Sequence, residues 1–177
     1  FDTVIKTAEG KVDQFNDLAG DIDSFVAGQD RANNIIQYTS PKLADSVTIN
    51  VATILAEGAD VDLDANGDAE EGLFDIPQLS VVFEQSGLYA ALAYAQNSAT
   101  ATQTADGFAR ADIMRLVAQY KIDAFEIGGL FQQASDVTSG SDLEDTSMLV
   151  SAAFSIDRIK LKGQYGMTKG DQSDEEL

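Results

Sequence analysis

The acidic stretch DVDLDANGDAEE, residues 60–71, has the residue types and part of the spacing of a calcium-binding loop. Calcium prefers carboxylate and carbonyl oxygens, and the pattern D-x-[DN]-x-[DN]-G presents them in order. The match ends at Leu73, which occupies the position where a bidentate Glu belongs. The alternative is a solvated acidic loop. The candidate calcium ligands of a looser site are Asp62, Asp64, Asn66 and Asp68.

Paired carboxylates could also perform glycoside hydrolysis, which requires only two acids. Glu70 with Glu71 and Asp21 with Asp23 are such pairs. The chain has no Cys and no His, so thiolate nucleophiles, imidazole bases and the common zinc sites are excluded. Because 30 of the 177 residues are acidic, neighbouring acids are expected from composition alone. The sequence therefore predicts that the protein is not an enzyme, with a soluble acidic enzyme as a lesser alternative, and it predicts no cofactor beyond the possible calcium.

The charge balance excludes one class of partner. With 30 acidic and 11 basic residues the formal net charge is -19 at pH 7. Nucleic acid requires a basic surface, so it is not expected as a partner. The longest apolar-rich run, GLYAALAYA at residues 87–95, is about half of the roughly 20 residues that a membrane helix requires. The first residues, FDTVIK, predict no signal peptide, so the chain is expected to be a processed or internal part of its protein.

Two-residue alternation of polar and apolar side chains begins at Asn33 and predicts four pairs of strands. Short turns alternate with long polar loops near residues 57–76, 97–107 and 134–145, as is typical of outer-membrane barrels, although a soluble meander is also possible. The fold class predicted is all-β, a transmembrane antiparallel barrel. The predicted strands cover residues 33–40, 46–55, 78–84, 88–96, 114–120, 125–132, 146–155 and 158–167.

The alternation also assigns side chains to the two faces of the sheet. Ile36 and Tyr38 would face lipid in a barrel, opposite Gln37. On the polar parity, the charged side chains predicted to line the lumen are Arg115, Glu126, Lys160 and Lys162. Aromatic residues near strand ends are typical of a membrane-interface belt, although cross-strand packing in a soluble sandwich would use the same residues. They are Tyr38, Tyr94, Tyr120, Phe154 and Tyr165.

Residues 1–29 have no sustained alternation and predict a long loop with at most a short helix near residues 12–18. A loop of this length within a compact domain indicates function or disorder.

The segments GKVDQFNDLAGDI, residues 10–22, and DRANNIIQYTSP, residues 30–41, resemble the third external loop and the following strand of the general porins of Gram-negative outer membranes. That resemblance implies a sixteen-stranded barrel that assembles as a homotrimer and folds its third loop inward to narrow the channel. Residues 1–32 would then be the inward-folded constriction loop. Residues 33–177 would form hairpins of the barrel wall, the sixth to the thirteenth strands.

The resemblance also implies site residues and a function. Arg31 would lie on the barrel wall opposite a negative arc of loop carboxylates, and the resulting transverse field would orient passing solutes. The function implied is passive diffusion of small hydrophilic solutes and ions, in contact with outer-membrane lipid and lipopolysaccharide. The acid excess predicts a preference for cations. The carboxylates of the predicted arc are Asp13, Asp17, Asp21 and Asp23.

Two alternatives stay open at this point. Eight strands from the middle of a larger barrel would leave unpaired edges, so the chain is expected to be part of a larger porin. A complete eight-stranded barrel has a suitable strand count but leaves no room for the first 29 residues. The alternative function is a secreted or surface calcium-binding β-domain, an adhesin-like binding module.

Overall fold

A computed structural model describes residues 1–16, 18–29, 31–55, 76–99, 110–137, 143–171 and 174–176. These residues form one antiparallel sheet in which each strand pairs with the next one along the chain. Its strands are β1 Ile35–Thr39, β2 Val47–Ile54, β3 Ile76–Gln85, β4 Leu88–Ala99, β5 Arg110–Ile122, β6 Phe125–Asp136, β7 Glu144–Ile156, β8 Ile159–Lys169 and β9 Asp174–Glu176.

All eight predicted strands are present, and the prediction of an all-β antiparallel fold is confirmed. Several strands extend past their predicted ends, most clearly β5, because polar residues near the long loops continue the backbone pairing. Strand β9 was not predicted, since its sequence DEE contains no apolar residue. Backbone pairing alone places it beside β8, with Glu175 opposite Thr168.

Two-residue turns join three of the hairpins. Ser86 and Gly87 both have positive φ, at 52° and 83°, as a type I′ turn requires. A Cβ at Gly87 would collide with the carbonyl oxygen of Lys121, so only glycine fits there. Asp123 and Asp157 begin the other two turns with φ of 50°, which Asp tolerates better than most residues. These turns lie at one end of the sheet, as predicted.

The sheet has two chemically different faces. The outer face carries apolar side chains that are largely exposed, including Ile127 at 64%, Ile159 at 63% and Leu161 at 60%. A continuous apolar surface of this kind requires an apolar environment or a partner. Tyr38, which is 62% exposed, lies on the same face.

The aromatic residues predicted near strand ends differ in their contacts. Tyr38, Tyr94, Tyr120 and Tyr165 are exposed. Phe154 instead packs against Phe125 across the strand pair β6–β7, with ring centroids 4.4 Å apart. The positions of these aromatic residues therefore fit both a membrane-interface belt and cross-strand packing.

Residues 1–29, which we call the N-terminal segment, cover the opposite face, the inner face of the sheet. The segment contains a helix α1 at Val4–Thr7 and a 3₁₀ turn at Ile22–Ser24. The sequence allowed at most a short helix near residues 12–18, whereas the described residues of that range are not helical and α1 lies earlier in the chain. Thr3 caps α1 by accepting a hydrogen bond from the Lys6 amide, which fixes the helix start nearer the beginning of the chain.

The N-terminal segment and the inner face share one hydrophobic core. Ile5, Val12 and Val26 of the segment are fully buried, and they pack with small residues of β4 and with Ile113 and Val117 of β5. Alanine at positions 91, 93 and 95 leaves the space that the segment fills. No helix among the described residues is long and apolar enough to span a membrane.

Candidate functional site

Arg115 of β5 holds the N-terminal segment against the inner face. Its Nη1 donates to the carbonyl oxygen of Ile5 at 2.8 Å, and Nη2 donates to that of Ala27 at 2.7 Å. Nε donates to Oε1 of Gln132 at 2.7 Å. The side chain is fully buried, with Oε2 of Glu9 3.5 Å from Nη1. A buried guanidinium needs several acceptors, and two of those of Arg115 are backbone carbonyls at distant points of the segment, which Arg115 therefore fixes at once.

Amide side chains of the inner face make further bonds to the segment backbone. Oε1 of Gln78 accepts from the Val4 amide at 2.8 Å, and Nε2 of Gln132 donates to the carbonyl oxygen of Ala27 at 2.9 Å. Nε2 of Gln119 donates to the backbone carbonyl oxygen of Lys11 at 3.1 Å. Because the segment has little regular secondary structure, these side chains replace the backbone partners that a helix or strand would supply.

Strands β4 and β8 complete the attachment. The Tyr89 hydroxyl donates to the carbonyl of Ala8 at 2.9 Å, and the Thr168 hydroxyl donates to that of Phe25 at 2.7 Å. Nε2 of Gln164 donates to the carbonyl oxygen of Gly20 at 2.7 Å. The segment is thus bonded to the wall along most of its length and lies across the inner face in a defined position.

The predicted acidic arc is only partly exposed in this arrangement. Asp13 is buried, and its Oδ1 accepts from the Phe15 amide and from Nε2 of Gln164, each at 2.9 Å. Burial raises the pKa of the Asp13 carboxyl despite these hydrogen bonds. Oδ1 of Asp21 accepts from the Asp23 amide at 2.9 Å and caps the 3₁₀ turn.

Asp23 forms an ion pair within the segment. Its carboxylate accepts from Nζ of Lys6 at 3.1 and 3.2 Å. Partial burial raises the pKa of Asp23, although the ammonium of Lys6 acts in the opposite direction. Asp17 lies outside the described residues. The role of these four acids in a constriction therefore stays a prediction.

Arg31 lies beside a different carboxylate from those predicted. Its Nε donates to Oδ1 of Asp2 at 3.0 Å, and residues 2 and 31 also form an isolated β-bridge. Both side chains are substantially exposed. The structure thus brings Arg31 to the start of the N-terminal segment, while Asp13, Asp21 and Asp23 make the contacts described above.

Arg115 lies on the predicted face but not in the predicted environment. The sequence suggested that it lines the lumen, whereas its side chain has no exposed surface because the N-terminal segment covers it. Two glycines on the same face could have indicated this close approach. A Cβ at Gly128 would collide with Val12, and one at Gly166 would collide with Phe25.

The remaining predicted lumen residues lie together at the turn end of the inner face. Oε1 of Glu126 is 3.0 Å from Nζ of Lys121, and its Oε2 is 2.8 Å from Nζ of Lys160. Nζ of Lys162 donates to the carbonyl of Gln14 at 2.8 Å. These side chains line an open cavity of about 460 Å³ between the segment and the wall. We call it the basic recess, after its lysines Lys11, Lys121, Lys160 and Lys162.

The calcium prediction falls outside the described structure. Asp62, Asp64, Asn66 and Asp68 lie in residues 56–75, as do Glu70 and Glu71. In the part of the chain that the structure describes, no group of three or more acidic residues could hold a metal ion.

This sheet, covered on one face and apolar on the other, has counterparts among known proteins. A family model described as Gram-negative porin matches residues 1–177. The chain belongs to the Gram-negative porin family. The resemblance drawn from the sequence is confirmed, and the porin's location is the bacterial outer membrane.

A solved structure supports the same fold for this porin. The chain is similar to the anion-selective porin from Comamonas acidovorans, with 20% sequence identity and a TM-score of 0.62. The match covers 94% of this chain and 46% of the other, so the chain spans less than half the length of that porin. Comparison with curated proteins found no significant match. The calcium-binding adhesin alternative is not favoured by these results.

Proposed function

We propose that the intact porin forms a water-filled channel for passive diffusion of small hydrophilic solutes and ions across the outer membrane. The observation that carries this proposal is the attachment of the N-terminal segment to the inner face by Arg115, Gln78 and Thr168. A segment fixed across the polar side of a barrel wall narrows the passage to a defined width. Porins are channel proteins, and we propose no catalytic activity for this one.

The apolar outer face fits contact with lipid, including lipopolysaccharide, and with neighbouring subunits. Exposed side chains such as Ile127, Val150 and Leu161 would be costly in water but not in a hydrocarbon layer. We propose a homotrimer, as the family resemblance implies.

Ion preference depends on the charges close to the passage. The cation preference predicted from the total charge has no support from the similar structure, which is described as anion-selective. Residues 56–75 alone contain eight acidic residues and no basic residue, so the total charge of the chain does not describe the charge beside the N-terminal segment. The basic recess contains four lysines and two carboxylates, Asp13 and Glu126. We infer that these local charges, rather than the total of -19, set the ion preference.

The function is tested by recording the intact porin in a planar bilayer under a salt gradient. Stepwise conductance is the expected result, and its absence from a correctly folded trimer would refute the channel. The sign of the reversal potential then decides between cation and anion preference. Extraction as a heat-resistant trimer in detergent is expected, whereas purification from buffer as a monomer without detergent would contradict an outer-membrane porin.

A further inference from the structure

We propose that the basic recess is a binding site for a small multivalent oxyanion, such as inorganic phosphate, on its route through the channel. This inference rests on the proposed function, because the recess lies between the N-terminal segment and the wall of the barrel. It names the class of solute that this part of the passage would favour.

The lysines of the recess come from separate elements that the fold brings together. Lys121 lies near the end of β5, and Lys160 and Lys162 lie near the start of β8. All three are on the inner face near the two-residue turns, since Lys121 pairs with Glu126 across β5–β6. Lys11 approaches from the N-terminal segment. A solute in the recess would therefore meet ammonium groups from two sides.

The recess has uncompensated positive charge. Four lysines and two carboxylates line it, which gives a formal charge of 4 − 2 = +2. Glu126 is already shared between Lys121 and Lys160. Asp13 is buried against Gln164 and the Phe15 amide. Among the described residues, no carboxylate lies within ion-pair distance of Lys11 or Lys162. Lys162 donates one hydrogen bond to the carbonyl of Gln14, and its other two N–H donors, with the ammonium of Lys11, can meet an anion.

The chemistry of lysine favours small oxyanions of variable shape. An ammonium group is a compact charge on a flexible stem with three donors, so it can follow an oxyanion without a fixed geometry. A dianion gains about twice the Coulomb energy of chloride at the same distance. The cavity of about 460 Å³ is open to solvent and leaves room for a partly hydrated ion. Binding strong enough to attract the ion but weak enough to release it is what conduction requires.

The test measures how phosphate affects chloride current through the intact porin in planar bilayers at constant ionic strength. Phosphate held in the recess is expected to reduce the chloride current in a saturable way. The double variant Lys11→Gln, Lys162→Gln should raise the half-blocking phosphate concentration about tenfold, because it removes the two available charges. Lys169→Gln is the matched control. Lys169 lies on the same strand β8, but on the opposite face of the sheet from Lys162 and at the far end of the strand. It should behave as the unmodified porin.

Several results would overturn the inference. One is the absence of saturable block by phosphate. Another is a half-blocking phosphate concentration that is the same in the double variant as in the unmodified porin. The third is a rise of that concentration in Lys169→Gln as large as in the double variant. If the porin conducts chloride normally in these cases, the proposed function stands and only the site fails. If the folded porin conducts no ions, the proposed function fails, and equilibrium dialysis of radiolabelled phosphate against detergent-solubilised porin decides the site. Weaker phosphate retention by the double variant supports the site, and equal retention overturns it.

Discussion

Nη1 of Arg115 lies 3.5 Å from Oε2 of Glu9, and both side chains are buried between the N-terminal segment and the barrel wall. Glu9 belongs to the segment and Arg115 to β5, so the pair joins the segment to the wall of the sheet. Nε2 of Gln29 donates to the same Glu9 oxygen at 2.8 Å.

Arg115→Gln should strongly destabilise the attachment of the segment. It leaves the carbonyls of Ile5 and Ala27 and the Glu9 carboxylate without their guanidinium partner. Breaking a buried pair from one side costs on the order of 3–5 kcal/mol. The urea midpoint of the detergent-folded porin should fall, and single-channel current should become noisier as the segment moves.

A double-mutant cycle separates the ion pair from the other bonds of Arg115. Arg115→Gln combined with Glu9→Gln should cost less than the sum of the single changes, because each single variant buries an unpaired charge and the double variant does not. Arg158→Gln, at an exposed turn, is the control and should leave the urea midpoint unchanged. Additive effects of the two buried substitutions would show that Arg115 and Glu9 do not interact.

The buried carboxyl of Glu9 should make stability depend on pH. Burial is the largest cause that raises its pKa from 4.5 to about 7, while Arg115 and Gln29 oppose the rise and Asp13 adds to it. Between these values the folded state keeps a proton that the unfolded state has released. The contribution of Glu9 to stability is therefore fully present below pH 4.5 and is lost as the pH rises to about 7.

Glu9→Gln should remove this part of the pH dependence, since an amide does not titrate. The urea midpoint is compared between pH 4.5 and pH 8 for the porin, for Glu9→Gln and for the exposed control Glu84→Gln. The raised pKa values of Asp13 and Asp23 act in the same direction, so a smaller slope should persist in Glu9→Gln. The same slope in all three proteins would contradict the role of Glu9.

Two glycines of β8 provide a matched test of how closely the segment approaches the wall. A Cβ at Gly166 would collide with Phe25, whereas one at Gly163 meets no atom within 4 Å. Gly166→Ala should cost roughly 1–3 kcal/mol of stability by overpacking and should change the conductance as the segment shifts. Gly163→Ala should change neither quantity. Identical behaviour of the two variants would show that the segment does not contact β8 at Phe25.

Arg31→Glu tests the predicted constriction arginine. The substitution replaces a cation that pairs with Asp2 at 3.0 Å by an anion and should shift the reversal potential toward cations. Arg158→Glu, at a turn, makes the same charge change away from the segment and should have little effect. A reversal potential unchanged by Arg31→Glu would exclude Arg31 from the part of the passage that selects ions.

The strands could be predicted because a half-buried strand has a simple signature. Residues such as Ile159 and Leu161 alternate with Lys160 and Lys162, and this two-residue period assigns both the strand and its faces. The short strand β9 could not be predicted, because its sequence DEE has no alternation of polar and apolar residues and its pairing with β8 depends on backbone groups. Local sequence patterns therefore predict most of the strands and the two faces of the sheet.

The attachment of the N-terminal segment was harder to predict because it depends on contacts between residues far apart in the chain. Arg115 and Ile5 are 110 positions apart, and nothing local distinguishes a lumen arginine from one that the segment covers. The inward glycines Gly128 and Gly166 were the available signal. A glycine on the polar face of a strand indicates close approach of another backbone or side chain.

The proposed channel lies on the side of the sheet that carries the N-terminal segment, and two adjacent residues of β8 test this arrangement. Lys162 lines the basic recess, whereas Leu161 lies on the apolar outer face and is 60% exposed there. The measurement is single-channel current before and after a charged, membrane-impermeant thiol reagent is added to the Lys162→Cys and Leu161→Cys variants. A stepwise change in current is expected for Lys162→Cys and none for Leu161→Cys. No change for Lys162→Cys, or an equal change for both variants, would contradict this arrangement.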